Sequence, residues 1–505
     1  MSKIIQDRME SEERKIKRQL EQAVKGSGEK PMLAGSNIHY EIAEKTRGTA
    51  HGGIGLIQRL VKELGLAERI DQQVRVLKQH RPYHESDHVL NIAYNTLCGG
   101  QTLDDLELRR NDRTYLAGLG AKSIPDPTTE GDFCRRFKEE DVAALEKAIN
   151  ETRLEVWKRA PDLTRELALI DADGTLVPTT GECKEGMDIA YEGTWGYHAL
   201  VVSLRNTQEP LFIKNRSGNR PSHEGVVPLF DQAVALCRRA GFAKIRLGGD
   251  TDFSLTSEFD RWTDEGVLFL FGYDARKNLV KRAGDAPDAL YHELVQRAER
   301  EIKTQPRERP ANVKEQIVRE REYRSIRTES EELVEFSYKP GKCGRAYRVI
   351  ALRKNLSVSK GELVLFPEVR YFFYITNDAA LTADEVVHQA RQRCDQENLL
   401  AQLKGGLRAL HAPVNTLLAN GAYMVMAALG WSLKAWCALL LPVSPRWKNR
   451  HRDERRSLLR MEFRTFLNAF INIPCQIVNT GRRIVYRLLA WNPWQRAFFR
   501  LANSL

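Results

Sequence analysis

Between residues 166 and 274, short β-rich runs alternate with a helical stretch, and this alternation is the tightest constraint the chain places on its own fold. The runs are ELALIDADGTLV, YHALVVSLR, EPLFIKNRS, AKIRLGGDTDF and GVLFLFGY. The helical stretch GVVPLFDQAVALCRRAG stands before the last two. Strands followed by a helix and further strands predict a mixed α/β sheet. Two of these runs finish on carboxylates, Asp171 and Asp173 in one and Asp250 and Asp252 in the other.

The flanking segments divide by texture. Residues 1–45 read as a charged arm. Residues 46–160 have helical periodicity, with GLIQRLVKELGLAERIDQQV repeating apolar residues every three or four positions, and predict a helical region suited to DNA binding. No helix-turn-helix is identifiable there, and a purely structural bundle fits the same pattern. The α/β domain is expected over 161–274 and again over 371–440. Residues 275–370 interrupt it as a largely β insertion. Residues 441–505 form a basic C-terminal region, expected to be helical, in which arginines interleave with aromatic residues.

At 505 residues the chain is too long for one compact core. Its net charge of +11 favours a polyanionic partner, an argument about partners and not about fold. The eight cysteines stand far apart and include no CxxC pair, so neither a zinc finger nor a disulfide framework is indicated. The start of the chain lacks the apolar centre of a signal peptide. The stretch TLLANGAYMVMAALGWSL (416–433) approaches membrane length but contains Asn420 and two glycines and stops at Lys434; it predicts a buried core helix. These features give the expectation of a reduced cytoplasmic protein with no membrane partner.

Three places could carry chemistry. Residues two apart in a strand share a face, so Asp171 and Asp173 can present carboxylates to one point. Read alone, the Asp173–Gly174 pair is equally a turn. Asp250 and Asp252 follow a second apolar run, where Gly-Gly-Asp is also ordinary turn chemistry. In RQRCDQENLLAQLKGG, a regular helix would bring Arg393, Glu397 and Lys404 within about 40° of one another, a cation–anion–cation face. Carboxylates converging from strand ends are what an oxygen-ligated cation such as Mg²⁺ requires. His198 and Arg216 are further candidates, His198 as a neighbour of the site or a core histidine, Arg216 as a phosphate contact or a solvated strand-end residue. Arg482, Arg483 and Arg487 in the tail suit neutralisation of a nucleic-acid backbone.

Together these pieces resemble a DDE transposase of the IS4-like superfamily, most closely the IS1380 family of bacterial insertion sequences. The resemblance runs from near residue 85 to the tail. It rests on DADGT (171–175), RLGGDTDF (246–253) and RQRCDQENLLAQLK, the last similar to a Y-(2)-R-(3)-E-(6)-K signature. It implies an RNase H-like catalytic domain split by the β insertion. It also implies Asp173, Asp250 and Glu397 as catalytic, metal-holding carboxylates, with Asp171 as a candidate further ligand, and Arg393 and Lys404 near the DNA backbone. Two Mg²⁺ ions (Mn²⁺ as substitute) are expected, with double-stranded DNA, both terminal inverted repeats and target, as partner and a homodimer in the working complex. The tyrosine of the signature falls on Ala390, so its ring is missing or comes from elsewhere. An RNase H-like nuclease, or a DNA-binding regulator that has lost catalysis, are the alternatives.

Overall fold

The computed structural model describes residues 3–24, 37–42, 46–80, 82–164, 167–294, 324–360, 363–481 and 483–505. The two longest helices of the helical region are α1 (Glu85–Leu97) and α2 (Glu139–Lys158). Acidic side chains in the first turn of each helix complement its dipole.

The apolar runs form strands of a single mixed sheet: β1 (Ala168–Pro178), β2 (Trp195–Leu204), β3 (Glu209–Lys214), β4 (Ile245–Gly249) and β5 (Leu268–Tyr273). The sheet continues with three long strands, β6 (Arg324–Tyr338), β7 (Tyr347–Lys360) and β8 (Leu363–Thr376). In space the order is β3-β2-β1-β4-β5-β8-β7-β6, with two-residue strands Asp188–Ile189 beside β2 and His292–Glu293 beyond β6. β1 to β3 form an antiparallel meander, β4 joins β1 in parallel, and β5 joins β4 in parallel. All five residues of β4 are buried, as expected of a strand covered on both faces. Helix α3 (Val226–Ala240) connects β3 to β4 and packs on β1, β2 and β3 with Leu229, Phe230, Ala233, Val234 and Cys237 inward.

The β-rich segment is therefore continuous with the α/β sheet. β8 pairs antiparallel with β5 through Phe373–Thr376, so the boundary expected at 370/371 falls inside one strand. Most of the charged stretch expected to lead into it, QRAEREIKTQPRERPANVKEQIVREREYRSI, lies outside the described residues.

After β8 come α4 (Ala383–Arg391), α5 (Cys394–Ala401) and α6 (Leu417–Leu439). α6 is the membrane-length stretch, and it is buried from Ala419 to Leu439 against α1, α2, β3 and α7 (Lys448–Arg460). Its polar residues are satisfied internally. Asn420 exchanges hydrogen bonds with both backbone groups of Val414, and the Lys434 ammonium donates to the Leu459 carbonyl and lies 3.9 Å over the Trp431 ring. Between α2 and α6, the buried Glu209 carboxylate accepts from Arg153, Trp157 and Trp436 at 2.8–3.0 Å.

The tail departs from the helical expectation. α7 is helical, but Cys475–Thr480 and Arg483–Leu488 form an antiparallel hairpin, and Gly48–Thr49 adds a third strand. Both segments hold β-branched residues, Ile477 and Val478 in one and Ile484 and Val485 in the other, and Gly481 takes the left-handed conformation (φ 56°) that the turn needs. The Tyr486 ring fills the space that side chains would need at Gly55 and Gly118, where a Cβ would lie within 2.5 and 2.6 Å of it. The two ends of the chain thus build one unit.

Candidate active site

The site is built by the register of two neighbouring strands. Asp171 of β1 pairs with Gly248 of β4 at the end of the parallel ladder, and two residues further along each chain Asp173 and Asp250 are close enough for Asp250 to act on the Asp173 carboxyl. The expected turn at Asp173–Gly174 is not there: β1 runs through to Pro178, and Gly174 pairs with Leu200 in mid-strand. Glycine is required for a different reason. A Cβ at 174 would stand 2.7 Å from His198 Nε2. The glycines before Asp250 are likewise strand residues. A Cβ on Gly248 would meet Asp171 Oδ1 at 2.5 Å, and one on Gly249 would meet Phe253 at 2.7 Å.

The two aspartates of β1 have different fates. Asp171 is 1 % exposed, and Arg205 grips its carboxylate with two hydrogen bonds of 2.6 Å. Both oxygens are held by Arg205, so in this structure Asp171 serves as an anchor. Arg205 Nη1 also donates to the Gln389 carbonyl, tying β2 and β1 to α4. Asp173 is half-buried and has no such clamp. Burial pushes its carboxyl up to about 6; nearby Arg393 opposes the rise, while Asp250 and Glu397 add to it. Asp250 caps the short turn Thr251–Phe253, accepting from the Asp252 amide at 2.9 Å, and burial raises its carboxyl too, again opposed by Arg393.

Glu397 and Arg393 come from α5, though not on the continuous helix expected. Thr382 begins α4 with a capping box to Glu385, but the helix stops at Arg391, and Arg393 becomes the N-cap of α5. The buried Gln396 side chain seats α5 on β2, bonding the Ser203 hydroxyl and the Val201 carbonyl. Arg393 then reaches 3.7 Å from Asp250 Oδ2 and 3.3 Å from Glu397 Oε1, while Glu397 keeps its side chain 56 % exposed. Lys404 lies on a π turn, Gln402–Gly406, rather than on a regular helix face. Burial lowers its ammonium, and Asp173 is close enough to oppose that.

Asp173, Asp250 and Glu397 thus come from β1, the end of β4 and α5 near enough to sense one another's charge, with Arg393 and Lys404 beside them. The family model for transposase DDE domain group 1 matches residues 39–505. The chain belongs to the DDE transposase family. Its members are DNA-cutting and strand-transfer enzymes that generally use divalent metal ions. No curated protein matches its sequence. A piggyBac transposase, solved in a synaptic complex with hairpin DNA, is similar over 91 % of this chain and 86 % of that one, at 10 % identity and a TM-score of 0.34, too distant to bear on the site.

The carboxylates of this DDE domain fit a divalent cation in chemistry. Their oxygens are hard donors, and the rise of Asp173, caused first by burial and then by Asp250 and Glu397, is of the kind a cation relieves. Among the described residues no three His, Cys, Asp or Glu side chains are drawn together closely enough to hold an ion, and the Arg393 guanidinium provides the positive charge between Asp250 and Glu397.

The other candidates divide. His198 sits beside the site, opposite Leu176 of β1; its Nδ1 bonds the Arg220 carbonyl, and burial lowers its proton affinity, favouring the neutral ring. Arg216 is not the solvated strand-end residue that one of its two readings gave. It is 6 % exposed and donates to the carbonyls of His198, Pro221, Ser222 and Glu224, so it holds the loop after β3. Arg483 and Arg487 are exposed on the tail hairpin; Arg482 lies outside the described residues. At Ala390 there is no ring, and Tyr374 of β8 packs into the same apolar cluster, close enough to Arg393 to sense its charge. Arg205 and Gln396 are missed by sequence reasoning. The only signal for Arg205 is that a buried aspartate needs a cation, which does not say which cation.

Proposed function

We propose that the chain is the transposase of a bacterial insertion sequence most like the IS1380 family, acting in the cytoplasm on double-stranded DNA. It would cut at the element's terminal inverted repeats and join the exposed 3′-OH to target DNA. The carrying observation is the parallel pairing of β1 with β4, which brings Asp173 and Asp250 near each other, with Arg393 between Asp250 and Glu397. The strand order β3-β2-β1-β4-β5, with three antiparallel and two parallel strands, supports an RNase H-like reading of this part of the sheet. The division into a charged arm, a helical DNA-binding region, a split catalytic domain, a β insertion and a basic tail belongs to the same proposal.

Asp173, Asp250 and Glu397 would hold two Mg²⁺ ions, with Mn²⁺ as substitute. Such ions supply activation of the attacking oxygen and stabilisation of the leaving one at phosphorus. Arg393, released from the carboxylates, and Lys404 would face the non-bridging phosphate oxygens and take up their charge. Asp171 and Arg205 would keep β1 from shifting under that load. Two element ends require at least a dimer in the working complex.

The test uses duplexes ending in the terminal repeat, with Mg²⁺, and Asp173→Asn, Asp250→Asn and Glu397→Gln variants. Wild type should nick the repeat end and give a joined product; each variant should lose at least 10³-fold in rate, a barrier increase of about 4 kcal/mol. Cleavage by any of the variants at the wild-type rate would refute the assignment. Hydrolysis by wild type without joining would move the reading to a nuclease.

A further inference from the structure

Behind the catalytic helix lies a cleft of about 620 Å³, shared between the start of β1, the end of β2, α5 and α7. Four of its lining residues are arginines of α7: Arg452, Arg455, Arg456 and Arg460. Arg205, the anchor of Asp171, reaches it from β2. Two carboxylates, Asp162 and Asp395, stand against these five guanidinium groups.

Arg452, Arg456 and Arg460 are four residues apart, so they line one face of α7 at steps of about 6 Å. That spacing is close to the separation of consecutive phosphates along a nucleic-acid strand. The pairs they make are of the kind a phosphate can replace. Arg452–Asp162 (3.0 Å) and Arg456–Asp453 (3.5 Å) join side chains that are all more than 40 % exposed, and exposed pairs contribute under about 1 kcal/mol. Arg460 has no ion pair among the described residues. At the floor, Arg455 donates one bond to the Leu441 carbonyl, and its buried Nε has no hydrogen-bond partner.

We infer that this cleft is a second DNA-binding site, one that grips the phosphate backbone of duplex DNA away from the phosphate being cut. The occupant is a duplex rather than a single strand because, among the described residues, no aromatic side chain lines the cleft. Single-strand sites depend on base stacking against such rings. Contacts here are to phosphate, so they position DNA without reading its sequence. Gln392, just before Arg393, and Asp395, between Arg393 and Glu397, line the cleft, so α5 lies between the two sites. The inference rests on the proposal that the substrate is DNA.

The test is binding of the full chain, without metal, to a fluorescent 20-base-pair duplex of arbitrary sequence over a KCl series. Arg456→Glu/Arg460→Glu is compared with wild type and with Lys339→Glu/Lys342→Glu, an equal charge change on the exposed turn between β6 and β7. The cleft variant should bind at least tenfold more weakly, and its slope of log K against log salt should be shallower by about 2. The turn variant should match wild type, and all three should melt alike. Unchanged affinity and slope in the cleft variant, or an equal loss in both variants, would overturn the inference. So would a loss confined to single-stranded DNA. Wild type that binds no duplex at all would overturn the DNA proposal as well. Normal end cleavage with an unaffected cleft variant would remove the cleft alone.

Discussion

At the scale of single residues, the site holds charge that the fold would be more stable without. The folded chain binds the Asp173 proton more tightly than an unfolded chain does, with the carboxyl at about 6 against an ordinary 3.8. Stability from this group is therefore fully present below pH 3.8 and lost as pH rises through 6. Above that window the ionised carboxylate costs on the order of 2 kcal/mol. Asp173→Asn should raise the metal-free melting temperature by a few degrees at pH 7.5, with the gap closing below pH 4; calorimetry at the two pH values checks this, and equal melting at both would count against the burial argument. Mg²⁺ should stabilise wild type and not that variant. Arg205 makes the opposite case, since removing it leaves Asp171 buried and unpaired. Arg205→Ala should cost 3–5 kcal/mol, and Asp171→Leu/Arg205→Met should recover much of it, measured as a double-mutant cycle by urea unfolding. By strand geometry alone Asp171 and Asp173 are equivalent, both on one face of one strand, and the family resemblance favours Asp173. The physical difference is the guanidinium of Arg205, and no spacing rule finds a partner 34 residues away.

At the scale of elements, period and capping made β1, β4, α4 and the buried α6 legible, because each is a local pattern. Glycine misled, since Gly174, Gly248 and Gly249 read as turns and are strand residues that make room for His198, Asp171 and Phe253. That close approach is tertiary and leaves no mark on neighbouring residues. Gly174→Ala should destabilise the chain by about 1–3 kcal/mol through overpacking, and His198→Ala should relieve most of the penalty; parallel denaturant titrations of the single and double variants decide it. The helix bearing the glutamate was expected as one rod and is two. The break at Gln392–Arg393 makes Gln396, seated on Ser203 and Val201, the residue that aims Glu397. Gln396→Leu should lower the rate of strand cleavage with little change in DNA affinity, whereas a general packing defect would weaken both. A joint of this kind depends on where α5 meets β2, which a helical wheel does not contain.

At the scale of the whole molecule, the catalytic sheet, the N-terminal helices and the tail are held by shared buried contacts. α6 touches α1, α2, β3 and α7, and Glu209 binds α2 and α6 together. Glu209→Leu should therefore loosen both regions at once, by 3–5 kcal/mol, because Arg153 would be left buried without its carboxylate. Protease susceptibility of the helical region and of the sheet should rise together, and a rise in one alone would show them to be independent. The tail hairpin has a consequence for synthesis. Gly48–Thr49 cannot gain its strand partner until Cys475–Thr480 has been made, roughly 430 residues later, which at 5–20 residues per second is on the order of 20 to 90 s. Through that interval a nascent chain carries an unfinished edge and the uncovered glycine faces that Tyr486 will fill. A ribosome that stops before the hairpin releases a protein whose first folded region was never closed.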